Sequence, residues 1–148
     1  MKSLMLIALA TSSISAGENF NLQCHGEMEV MAQTITHEQV SRTYRIDIAQ
    51  NSWCADQCDK ARPILHATGE PAGSDILSLA IEEDDHHEWN LLLIENTGEF
   101  ESEGDLMWME HKVAKDPMTK GPIYRSTVRG FCTRTPFTPI PARAFDAS

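Results

Sequence analysis

Four cysteines, a run of acids and histidines, and a methionine–histidine stretch are the residues whose types and spacing could do chemistry in this chain. Cys24, Cys54, Cys58 and Cys132 are its 4 cysteines. In an oxidising compartment an even count reads as two disulfides, and four cysteines allow three pairings. The favoured pairing is Cys54–Cys58 with Cys24–Cys132. The first closes a very small loop, worth roughly 2 kcal/mol, and the second ties the ends of the chain for roughly 4–5 kcal/mol in the loop-entropy account. A four-cysteine zinc site needs two closely spaced pairs, and only Cys54 and Cys58 make one. A redox-active pair normally has two residues between its cysteines, not three.

Glu82-Glu83-Asp84-Asp85-His86-His87-Glu88 sets carboxylates beside imidazoles, which zinc, copper or calcium could use. The run lies between two apolar segments and shows no ordered ligand spacing, so a charged hairpin turn is expected there. In Met107-Trp108-Met109-Glu110-His111, a strand would send Met107, Met109 and His111 to the face opposite Trp108. That soft donor set suits Cu(I), although methionine pairs more often serve packing. No cofactor is expected.

Charge is distributed unevenly. Between Glu82 and Asp105 stand ten acids and no Lys or Arg, whereas Lys112 to Arg143 carries seven basic residues against the single acid Asp116. Glu82, Glu83, Asp84, Asp85, Glu99, Glu101, Glu103 and Asp105 are therefore candidates for an acidic face that docks a basic protein. The alternative is neighbouring strands that match their outward charges, at little energy per exposed pair. A formal net charge of −10 opposes nucleic acid as a partner, because phosphate contacts need a basic surface. No G-x-S-x-G elbow, H-E-x-x-H helix or Gly-rich phosphate loop occurs, so no enzyme is expected.

These residues must be positioned by strands. Phe20, Leu22, Cys24, Gly26, Met28 and Val30 alternate with Asn21, Gln23, His25, Glu27 and Glu29, a period of two. Tyr44, Ile46 and Ile48 repeat the pattern, as do Leu77, Leu79 and Ile81. Trp89 to Ile94 is apolar on both faces and suits a central strand. Asn96-Thr97-Gly98 supplies turn chemistry, after which Phe100, Leu106 and Trp108 resume the inward face. Tyr124, Val128 and Cys132 share a face opposite Arg125, Thr127 and Arg129. Cys24 and Cys132 thus fall on the inward sets of the first and last strands, and a bridge between them would close a sheet upon itself. Short helical turns are expected at Thr36–Ser41 and Ala55–Ala61. The fold class is all-β, a single antiparallel barrel or sandwich of about 7–8 strands with two disulfides.

Residues 1–16 read as a secretory signal: Met1-Lys2 gives the positive start, Leu4 to Ala10 the apolar run, and small residues follow to Ala16. The run is shorter than the roughly 20 residues a membrane span requires, so no membrane insertion is expected after cleavage. Residues 17–135 form the β domain, and 136–148, with Pro136, Pro139 and Pro141, an extended tail that pairs with little. Periplasmic or secreted localisation follows.

The mature chain resembles a group of small secreted proteins known mainly from proteobacterial genomes. The shared landmarks are Cys24-x-Gly26, Tyr44-Arg45-Ile46-Asp47, Trp53-Cys54-x-x-x-Cys58, Asn96-Thr97-Gly98-Glu99-Phe100, Gly130-Phe131-Cys132 and Pro136-Phe137-Thr138. The resemblance implies an extracytoplasmic address and paired cysteines, and carries no activity, cofactor or site residue. The function expected is a non-enzymatic extracytoplasmic binding or interaction module. The alternatives are an inhibitor of a basic hydrolase such as lysozyme, a periplasmic copper carrier, or a barrel holding a small apolar ligand. N-terminal sequencing of the native folded protein should begin near Ala16 or Gly17; finding Met1 there would refute the signal.

Overall fold

A computed structural model of the chain describes residues 19–68 and 75–146. The expected signal lies outside the described residues. Among the described residues nine strands follow in order: β1 Phe20–Met31, β2 Ile35–Asp47, β3 Ser52–Ala55, β4 Arg62–Pro63, β5 His66–Thr68, β6 Ile76–Glu83, β7 His87–Glu95, β8 Leu106–Lys115 and β9 Pro122–Thr135. A 3-10 helix, Gly98–Glu103, joins β7 to β8, and a short helix α1, Ala142–Phe145, follows β9.

All nine strands belong to one antiparallel sheet of order β4-β3-β2-β1-β9-β8-β7-β6-β5, curled into a half-barrel. The sandwich alternative is thereby corrected, since a sandwich needs two sheets. The strand count exceeds the expected one because the run 62–68 contributes twice. Its first part pairs with β3 and its last with β6, with only Ile64 and Leu65 between them. Ile64 N–H donates to Asn51 O and Leu65 N–H to Ser78 O, so this run touches both flanks of the sheet.

The first and last strands are neighbours, with β1 and β9 paired from Asn21↔Thr135 to Met31↔Arg125. Cys24 and Cys132 stand directly opposite one another, Cα to Cα 4.0 Å, and are bonded; Cys54 is bonded to Cys58. Two rungs further along, Gly26 faces Gly130. There the backbones approach so closely that a Cβ on Gly130 would overlap the His25 carbonyl, and one on Gly26 the Arg129 carbonyl. The curl requires glycine at this crossing.

Leu22, Ile46, Leu91, Leu93, Leu106 and Trp108 fill the concave side, none more than 2% exposed. Each such burial stabilises by about 1.5–3 kcal/mol. Tyr44 meets the rings of Trp53 and Trp108 edge-on at 6.0 and 6.2 Å, which occupies the interior where an apolar ligand was considered. A second cluster lies on the convex side, where Ile140 and Ala144 cover the Cys54–Cys58 disulfide.

Several local expectations are corrected. Thr36–Ser41 is strand, not helix, because it pairs residue for residue with Gly26–Val30 and His25 of β1. Ala55–Ala61 is a disulfide-closed turn in which Asp56 and Cys58 take φ of 52° and 54°, so helix cannot propagate. Ile81 is 59% exposed because a register shift between Ser78 and Ala80 turns the end of β6 over. Phe100 is 49% exposed, carried outward by the 3-10 helix that replaces a tight turn. The tail also does more than trail away. Thr138 exchanges hydrogen bonds with Asn21, the Pro139 carbonyl accepts from Arg45, and Ala61 N–H donates to Ala144 O.

Replacing Gly130 by Ala should destabilise the protein by about 1–3 kcal/mol through backbone overlap. Gly121→Ala, whose Cβ meets only Thr119 Oγ1 at 3.4 Å, should change little. Urea denaturation of both variants checks this, and equal midpoints would refute the close crossing.

Candidate functional site

The strands place charge and aromatic rings at the end of the concave side opposite Phe20 and Arg134. β8 carries Leu106, Trp108, Glu110 and Lys112 along its inward set, passing from apolar core to charge in four residues. β7 opposes it with Leu91↔Glu110 and Trp89↔Lys112. β2 adds Arg42 beyond Tyr44, β4 adds Arg62, and the disulfide loop adds Asp56, Asp59 and Lys60. Together they line a cleft of about 370 Å³ with Tyr44, Trp53 and Trp89 in its wall. A second depression of about 460 Å³ shares Arg62, Trp89 and Lys112 and extends to Tyr124.

Glu110 is the focus of this mouth. It is only 7% exposed and accepts the Trp89 indole N–H at 2.8 Å, with Lys112 Nζ at 3.9 Å. The Trp89 ring has Arg62 at 4.9 Å and Lys112 at 5.3 Å from its centroid, both within cation–π range. Trp53 meets Trp89 edge-on at 6.1 Å and donates its indole N–H to the Leu79 and Pro63 carbonyls, linking β3, β4 and β6. Burial, then the Glu110 carboxylate, pushes the Tyr44 phenol far above its ordinary value, so it remains a neutral hydroxyl. Trp108 Nε1 is buried beside that hydroxyl, near enough to favour the phenolate, yet makes no hydrogen bond of ordinary geometry.

The disulfide loop is held from both sides. Asp56 N–H donates to Thr43 O, and the Asp56 carboxylate accepts from Thr43 N–H. From the tail, Arg143 donates to the carbonyls of Gln57 and Cys58 and to Asp59. The mouth wall therefore depends on both the Cys54–Cys58 bridge and the C-terminal segment.

The acidic candidates do not form one face. Glu82, Glu83, Asp84 and Asp85 lie at the β6–β7 hairpin; Glu99, Glu101, Glu103 and Asp105 lie at the other end of β7, roughly 25 Å away at strand rise. Those at the hairpin have cationic partners: Arg62–Glu82, Lys115–Glu83 and Lys120–Asp85 at 3.3–3.5 Å. Asp84 accepts the backbone N–H groups of His86 and His87, which hold its carboxyl below the usual carboxylate range. At the far end, Asp105 accepts Arg134 N–H, and the Arg134 guanidinium pairs with Glu95 at 2.9 Å.

Met107, Met109 and His111 share the convex face of β8, lining two grooves of about 400 and 350 Å³. Arg129 lines both grooves, and its positive charge opposes a cation there. His111 Nδ1 is engaged with Thr127 Oγ1 at 3.2 Å. His87 faces Asp84 at 3.3 Å, but among the described residues no three His, Cys, Asp or Glu side chains converge to hold a metal. Sequence reasoning missed Glu110, Trp89, Arg62 and Lys112 as a group. The signal available was phase: Glu110 falls in step with Leu106 and Trp108, and an acid on an apolar face must find partners.

Comparison with known protein families, curated proteins and solved structures returns no match.

Replacing Glu110 by Leu strands the Trp89 indole N–H and should cost about 1–3 kcal/mol, whereas Glu110→Gln keeps an acceptor and should cost less. Denaturation midpoints, with the Trp89 indole proton shift as a local reporter, check the order. A Leu variant as stable as wild type would remove Glu110 from its structural role.

Proposed function

We propose that this protein is a non-enzymatic binding module of the periplasm or extracellular medium, and that its ligand enters the mouth cleft at Trp53, Trp89 and Glu110. The observation that carries the reading is the cleft itself: about 370 Å³, with three aromatic side chains in its wall and charged groups around them. Small-molecule sites combine apolar walls with a few polar groups in volumes of about 300–1,000 Å³. Two disulfides suit an oxidising compartment, and among the described residues no helix is long and apolar enough to cross a membrane.

Binding is favoured over catalysis because the carboxylates of the cleft are already engaged. Asp56 accepts from Thr43 N–H at 3.1 Å, Asp59 faces Arg143 at 3.2 Å, and Glu110 accepts the Trp89 indole N–H. A general acid or base needs a free edge toward its substrate.

The test is native mass spectrometry of mature protein isolated from the exporting cell. A small-molecule adduct is expected that Trp89→Ala abolishes and Met109→Ala, on the convex face, leaves intact. An adduct lost only in Met109→Ala would overturn the site. Turnover that disappears in Glu110→Gln would overturn the non-enzymatic reading.

A further inference from the structure

We infer that the mouth takes a small organic anion, a carboxylate or phosphate carried on an apolar or aromatic body. This rests on the mouth being the binding site and assigns its ligand class.

The argument is one of unmet capacity. Arg42, Lys60, Arg62 and Lys112 line the cleft against three acids, Asp56, Asp59 and Glu110. Each acid has a partner: Asp56 accepts from Thr43 N–H with Arg42 at 3.9 Å, Asp59 faces Arg143 at 3.2 Å, and Glu110 accepts the Trp89 indole N–H. Two further acids stand at the adjoining depression, and they too are engaged, Glu82 with Arg62 and Glu88 with Lys115 at 3.2 Å. The cations retain donors. Lys60 is exposed at the rim and takes part in no ion pair among the described residues, while Lys112 lies on the Trp89 face with Glu110 at 3.9 Å, beyond hydrogen-bond length. An ammonium offers three donors and a guanidinium five, more than the paired acids occupy.

A cationic ligand would meet four basic side chains, and the three acids of the lining already have partners. An anion would meet free donors in a partly desolvated pocket, where charge-assisted hydrogen bonds are strongest. Trp89, the partly exposed ring of the wall, supplies apolar surface for the body of the ligand, backed by Tyr44, Trp53 and Leu91, each no more than 2% exposed. In a chain of net charge −10, the cleft lining itself carries four basic residues against three acidic ones.

The experiment titrates the full mature protein with phenyl phosphate, benzoate, inorganic phosphate, benzyl alcohol and benzylamine. The readouts are the Trp89 indole proton shift and calorimetry. Phenyl phosphate or benzoate should saturate with a Trp89 shift, and the affinity should fall with added salt. Inorganic phosphate and benzyl alcohol should bind at least roughly tenfold more weakly, and benzylamine should not compete. Lys60→Glu, an exposed change that leaves the core untouched, should weaken phenyl phosphate by roughly tenfold or more, with Arg62→Ala as a second variant.

Benzylamine binding as tightly as phenyl phosphate would overturn the anion assignment and leave the mouth as the site. Inorganic phosphate binding as tightly would overturn the aromatic body. Absence of saturation by either aromatic anion at millimolar concentration would overturn the inference as a whole. The reading of the mouth as a site fails separately, through an endogenous ligand that maps to the convex face.

Discussion

The pairing of β1 with β9 is the contact on which the rest of the structure depends. Each half of the chain is a run of neighbouring strands, β1 to β4 and β5 to β9, that can form from local hairpins. Neither half alone encloses a core. Joining them requires closing a loop of 108 residues, an entropic cost that hydrogen bonds along eleven rungs and a disulfide must offset. The glycine crossing lies inside this same pair, so the contact that joins the halves also bends them. Loss of the pairing would remove the concave side, and with it the relation of β2 to β8 that places Arg42 and Glu110 around one cleft.

Period-two alternation made the main strands legible, because a strand buried on one face must alternate. Cys24 and Cys132 could be placed on inward sets, and their bond follows from that phase. What alternation cannot carry is a change of phase. The shift between Ser78 and Ala80 leaves no mark in residue type, so Ile81 looked inward and lies outside. Phe100 failed for a related reason: the 3-10 helix consumes six residues that a tight turn would not. Thr36–Ser41 lacks an apolar face and resembles a short helix in isolation; its strand state is imposed by β1.

The mouth was hidden from sequence for a different reason. Its members come from six segments, and each has an ordinary local explanation. Arg42 and Lys112 are single charges past the apolar stretch of their strands, and Trp89 sits at the start of an apolar run. Only their convergence gives them meaning, and convergence is a property of the curl. Acidic residues 82–105 show the converse. Their density in sequence suggested one surface, but a strand of nine residues separates the two groups and most of the hairpin acids are neutralised locally.

The C-terminal segment leaves β9, crosses the convex side of β2 and β3, and docks Arg143 against the loop whose Asp59 and Lys60 line the mouth. The last described residues thus lie beside the loop of the candidate site without entering the cleft. A fluorophore coupled at position 146 would stand one turn from Arg143 and its loop contacts, outside the core and away from the strand pairings. The fold therefore offers a ready attachment point for an optical sensor, in which occupancy of the cleft is read through the loop that the last helix grips.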